Sequence, residues 1–132
     1  MNSEDLKKRT KDFAVRIIKF SQDLEKNYGN IGRKIGDQIL RSGTGVYMNY
    51  RAACRCKSPK DFISKMGTVV EEADEVLSWI DLLVTTGIIE SSLVKDLLKE
   101  PDELTAIMTA SRNTAIKNQR DRMNKSDKIE QD

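Results

Sequence analysis

Between Ser58 and Gly87 the chain repeats apolar residues at the period of an α-helix. Phe62, Met66, Val69, Ala73, Val76, Leu77, Ile80, Leu83 and Val84 fall on one side of a helical wheel, where a strand would need strict alternation. Ser58 is placed to cap this helix, Pro59 to occupy its first position, Asp61 to sit in its first turn and Gly87 to end it. About seven turns of one-sided apolar surface are not stable alone in water, so other helices must cover it.

Three further segments supply that cover. Residues 4–26 carry Leu6, Thr10, Phe13, Ile17, Phe20 and Leu24 in a narrow arc, with Ser3 as the expected cap and Asn27–Asn30 as the stop. Val15 and Ile18 lie off that arc and either widen it or face a second subunit. Residues 31–57 place Ile35, Ile39, Ser42, Val46, Asn49, Tyr50 and Ala53 on one face. In their middle stands Gly43-Thr44-Gly45, where each glycine costs about 1 kcal/mol against alanine; close approach by another helix or a local break accounts for that cost. No Gly-Lys-Ser/Thr follows, so a phosphate-cradling loop is disfavoured. From Ser91 a short helical piece meets Pro101, which breaks, kinks or restarts it, and Leu104, Ile107, Met108, Ser111 and Ala115 carry a thinner stripe to about Asn118. The expectation is all-α: an antiparallel up-down-up-down four-helix bundle over residues 1–118, followed by a flexible charged tail over 119–132.

Composition narrows the chemistry. The 132 residues contain no histidine, which excludes His-based triads and His-bearing zinc or di-iron sites within one chain. The two cysteines, Cys54 and Cys56, have a spacing that is neither a redox nor a zinc signature. Glu71, Glu72, Asp74 and Glu75 form an acidic cluster opposite the apolar stripe, better read as a solvated or ion-paired face than as a metal or acid–base site. No apolar run approaches the roughly 20 residues of a membrane span, and the N-terminal residues have no apolar signal core. The chain is therefore expected to be a cytoplasmic non-enzyme without cofactor, metal or membrane partner.

Charge is unevenly divided. Residues 1–66 hold 15 Lys/Arg against 7 Asp/Glu, whereas residues 67–132 hold 8 against 14. Such a chain binds polyanions with one half or pairs its two halves, within the fold or between subunits. On the second helix Lys34, Arg41, Arg51 and Arg55 share an arc, with Asp37 among them; Lys7, Lys8, Arg9, Lys11 and Arg16 form a second group on the first helix. Cations recurring over several turns suit a phosphate backbone, and the competing reading is a solvated face. Tyr47 and Tyr28 are the only aromatic rings near these cations, too few for base-specific reading. Gln38, Ser42 and Asn49, near the inner face, are expected to hydrogen-bond between helices, and Trp79 to pack at a core edge.

An ordered succession of blocks adds to this reading. Arg9–Ile18, Ile35–Thr44, Asn49-Tyr50-Arg51, Ser58 with Asp61–Met66, Glu71–Glu75 and Trp79–Leu83 together resemble the bacterial family labelled S23 ribosomal protein or 23S rRNA intervening-sequence protein, over roughly residues 6–117. The sequence departs from the family pattern at Tyr47 and Met48, where relatives carry small residues, and at Ala52, where they carry an acid. The resemblance implies a four-helix bundle assembling as a homopentameric barrel. Related proteins accompany the reverse transcriptases of diversity-generating retroelements as nucleic-acid-binding accessory subunits. The expected partners are thus other copies of the chain, nucleic acid (RNA foremost) and a nucleic-acid-handling protein. A protein-interaction scaffold that binds no nucleic acid is the competing expectation.

Overall fold

The computed structural model describes residues 1–131, with side-chain surroundings through Asp127. Four helices follow one another: α1 (Ser3–Asn27), α2 (Gly29–Arg55), α3 (Pro59–Thr85) and α4 (Ser91–Gln131). The links are short, so consecutive helices run antiparallel and the four stripes close on one core. Phe13, Ile17 and Leu24 of α1, Ile39 and Val46 of α2, Met66 to Leu83 along the α3 stripe, and Leu104 and Met108 of α4 are wholly enclosed in it.

The helix ends follow local chemistry. Ser58 caps α3 as expected, accepting from the Asp61 amide at 3.0 Å, with Pro59 behind it. At α1 the cap is Asn2 rather than Ser3. Asn2 Oδ1 accepts from the Asp5 amide at 2.9 Å and Asp5 Oδ2 accepts from the Asn2 amide at 3.1 Å. From Ser3 the reciprocating position would be Leu6, which has nothing to return. Gly29, at φ +67°, reverses the chain between α1 and α2, and Gly87, at φ +77°, ends the turn after α3.

The Gly43-Thr44-Gly45 triplet does not break α2. A Cβ at Gly43 would come within 2.5 Å of Ile17 Cγ2 and 2.7 Å of Cγ1, so the missing methyl is what lets α1 and α2 approach. One turn along the same seam, Ser21 Oγ donates to the Gly36 carbonyl at 3.0 Å, the buried polar bond that joins the two helices. The polar residues expected in that role behave otherwise. Asn49 donates to the Gly45 carbonyl within its own helix, Gln38 is exposed, and the Ser42 hydroxyl is buried without a partner.

Pro101 lies inside α4 without ending it; the ring is buried, and the Thr105 hydroxyl donates to the Pro101 carbonyl at 2.7 Å. The helix also continues past Asn118, where the apolar stripe stops, because no glycine or proline follows Pro101. From Arg120 to Asp127 every residue is exposed. Of the charged tail expected at 119–132, Asp132 and the side chains from 128 onward lie outside the described residues. Packing is extensive between α1 and α2, α2 and α3, and α3 and α4, whereas α1 and α4 touch sparingly.

The Gly43 contact makes a clear expectation. Alanine favours a helix by about 1 kcal/mol, but here it drives into a fully buried β-branched side chain, where overpacking costs roughly 1–3 kcal/mol. Gly43→Ala is therefore expected to lower unfolding stability by about 1 kcal/mol in urea titration, and the loss should shrink in an Ile17→Ala background. A more stable Gly43→Ala protein would mean that the two helices are free to separate.

Candidate nucleic-acid interface

The core stripe of α2 fixes what the helix shows to solvent. With Ile39, Ser42, Gly43, Val46 and Tyr50 inward, the opposite side carries Arg33, Lys34, Asp37, Arg41, Thr44, Met48, Arg51 and Arg55 at steps of mostly three and four. All but Thr44 are exposed. The row runs about 33 Å at 1.5 Å per residue and holds five cations and one carboxylate. Arg33 is missed by the sequence reading, which begins this helix at residue 31. It stands eighteen residues, or five full turns, before Arg51 and so shares its line, a spacing already readable within residues 31–57.

The structure sorts the nine cations singled out from sequence by their partners. Lys7 pairs with Glu4 at 3.0 Å and Lys8 with Asp12 at 3.6 Å, both along α1. Arg9 reaches across to α4, where its Nε donates to Glu100 at 2.7 Å and its other end grips Glu103. Arg16 meets Asp96 of α4 at 3.4 Å, and Arg41 meets Glu75 of α3 at 2.6 Å and Glu72 at 3.9 Å. Lys11, Lys34, Arg51 and Arg55 have no carboxylate partner among the described residues, nor does Arg33. The five cations of α1 thus do not make one patch: Arg9 and Arg16 turn to α4, while Lys11 stays exposed. Every ion pair between helices joins a cation of the first half to a carboxylate of the second, so part of the charge asymmetry is discharged inside the fold.

Around Arg51 the row acquires an aromatic component. Its guanidinium lies 5.7 Å from the centroid of the Tyr47 ring, and Nη1 approaches the Tyr47 hydroxyl at 3.5 Å. Arg33 is steadied by Asn30, whose Oδ1 accepts from Nη2 at 3.0 Å. These contacts orient the guanidinium groups without neutralising them.

At the α2–α3 seam the electrostatics differ. Glu72 is pressed against Gly45, where a Cβ would stand 3.0 Å from its carboxyl carbon, and one of its oxygens is buried without a partner, like the nearby Ser42 hydroxyl. Burial raises its pKa above the ordinary carboxylate value, and Arg41 only partly offsets that. Glu75, held by Arg41, also accepts from Trp79 Nε1 at 3.4 Å, which places Trp79 as a packing residue at the core edge. The acidic cluster is thus largely ion-paired or exposed, and among the described residues no group of three or more potential ligands is placed to hold a metal. Among them, too, no helix is long and apolar enough to cross a membrane.

Fold and surface together define a charged four-helix bundle with a basic outer row on α2. A family model described as 23S rRNA-intervening sequence protein matches residues 3–110, and the chain belongs to that family. Among solved structures it is similar to a protein of unknown function from the S23 ribosomal protein family of Bacteroides thetaiotaomicron VPI-5482. The two are 28% identical with a TM-score of 0.77, over 86% of this chain and 99% of that one. No curated protein matches.

Two measurements check the electrostatics. Because the folded-state pKa of Glu72 is raised, the folded protein binds its proton more tightly than the unfolded chain does. That term favours folding below the unfolded pKa and is lost as pH rises through the folded value. Glu72→Gln is expected to be at least as stable as the parent at neutral pH, with the difference shrinking as pH falls through the carboxylate range. For the α1–α4 contact, Arg9→Met should cost about 1 kcal/mol at low salt and less at high salt, followed by thermal unfolding at both.

Proposed function

We propose that the protein is a non-enzymatic, homo-oligomeric bundle that binds nucleic acid, structured RNA foremost, through the outer row of α2. The observation that carries the reading is the run of Arg33, Lys34, Arg51 and Arg55, exposed on one helix face over several turns and without carboxylate partners among the described residues. These cations form two pairs about 25 Å apart along the helix, each able to meet a phosphate backbone at a separate point, and each contact releases counterions. One helix row is a weak ligand, and a closed ring of copies would multiply it into a strong one. Support for assembly comes from apolar side chains left in water: Val15 and Ile18 on α1, which the sequence sets off the core arc, and Leu82 on α3. With Tyr47 as the ring nearest the row, the contact is to backbone and shape rather than to base sequence.

A protein-interaction scaffold is the second reading, and one observation favours it. The inter-helix ion pairs show that the basic half already finds acidic partners on α3 and α4, and the same complementarity can operate between copies. The two readings separate on one set of variants. Reversing charge at Lys34, Arg51 and Arg55 should weaken binding to a mixed-sequence structured RNA and lower the salt slope of log Kobs by about 2–3, with helicity and assembly unchanged. Loss of assembly with no change in RNA affinity would favour the scaffold, and unchanged affinity and slope would remove α2 as the binding face. Light scattering on the parent sets the copy number, since five 15.0 kDa chains would weigh roughly 75 kDa.

A further inference from the structure

The end of the bundle where α2 passes to α3 is not filled by side chains. The start of α1, the last turns of α2, the link through Lys57, the first turn of α3 and the stretch of α4 near Asn118 line an open cleft of about 550 Å³, within the size range of small-molecule sites. Its lining is mixed: Leu6, Tyr50, Phe62 and Ala115 supply an apolar, partly aromatic part, and Ser3, Ser58, Ser111 and Asn118 a polar one. Lys57 and Arg122 stand at its rim, and among the described residues no carboxylate lines it. Neither cation has an acidic partner among the described residues; Arg122 Nε donates only to the Asn118 carbonyl, at 3.4 Å. Glu4, the one acid whose charge reaches Tyr50, stands outside the wall and holds Lys7. Burial and the neighbouring Cys54 thiol push the Tyr50 hydroxyl upward in pKa, so it stays neutral and can donate.

We propose that this cleft binds a small amphipathic carboxylate, its apolar body against Leu6 and Phe62 and its anionic head between Lys57 and Arg122. An anionic head gains charge-assisted contacts with both cations that a neutral ligand cannot make, and a cation would be repelled by them. None of the residues in the outer row of α2 lines the cleft, so this site and the nucleic-acid reading stand or fall separately.

The chain supplies its own reporter, because its two cysteines, Cys54 and Cys56, both line the cleft. The probe is 2-naphthoate, compared with neutral 2-naphthalenemethanol and cationic 2-naphthylmethylammonium on the full chain. Titration calorimetry should give one saturable site per chain for 2-naphthoate, about tenfold tighter than for the alcohol. Bound 2-naphthoate should also slow iodoacetamide alkylation of both thiols. Ala115→Phe, which fills the cleft, should abolish binding. Lys57→Glu with Arg122→Glu, at exposed rim positions that leave the core alone, should erase the preference for the anion while circular dichroism stays unchanged. The proposal is overturned if 2-naphthoate fails to saturate, if the cation binds as tightly, or if the rim variant keeps the anion preference.

Discussion

The contact between Ile17 and Gly43 sets the roll of α2, and most of what this protein presents to solvent follows from that roll. A β-branched side chain seated where the facing helix has no Cβ leaves one rotational setting for the pair, and the Ser21–Gly36 hydrogen bond fixes it a second time. With that edge held against α1, Ser42 and Gly45 turn to α3, Arg41 reaches the seam with α3, and Arg33, Arg51 and Arg55 turn outward. Rotating α2 by one residue position would carry the row about 100° around and bury part of it. Helix packing and surface charge are therefore consequences of one steric fit.

Charge then divides into two kinds. Arginines at the seams, Arg9 and Arg41, reach carboxylates on the next element and serve the fold. Among the described residues the cations on the open side of α2 have no such neighbour, so only solvent and Asp37 moderate their field. The sequence shows an excess of positive charge in its first half, but only the fold distinguishes these two populations. The same seam has a less relieved place: one oxygen of the half-buried Glu72 carboxylate and the hydroxyl of Ser42 lie there side by side without a well-formed hydrogen bond. Apolar replacements of similar size would cost less at that depth.

The stripes of α1, α2 and α3, the Ser58–Pro59 start of α3 and the four-helix architecture are legible in the sequence because each rests on period and local capping chemistry. What escapes is of another kind. The Asn2 cap depends on a reciprocal partner three residues on. The reach of α4 past Asn118 escapes because a stripe records burial, not helicity. Gly43 is recognisable as a close approach, but the sequence does not say that Ile17 fills the gap. At the candidate interface, periodicity places Lys34, Arg41, Arg51 and Arg55 on one side of α2. That Arg41 is committed to Glu75 is a tertiary fact, as is the division of the α1 cations between two faces. The cleft at the bundle end is invisible to periodicity, since residues from all four helices meet there.

The sparing contact between α1 and α4 has a further consequence. Each large interface joins helices adjacent in the chain, so the backbone packs as a linear series of three hairpins around one shared core. Contacts of that kind span short sequence separations, which places the chain among fast folders of low contact order. A perturbation at α1 reaches α4 mainly by way of α2 and α3, alongside the sparing direct contacts and the ionic bridge from Arg9 and Arg16. That bridge ties the first and last helices directly, and ionic strength weakens it.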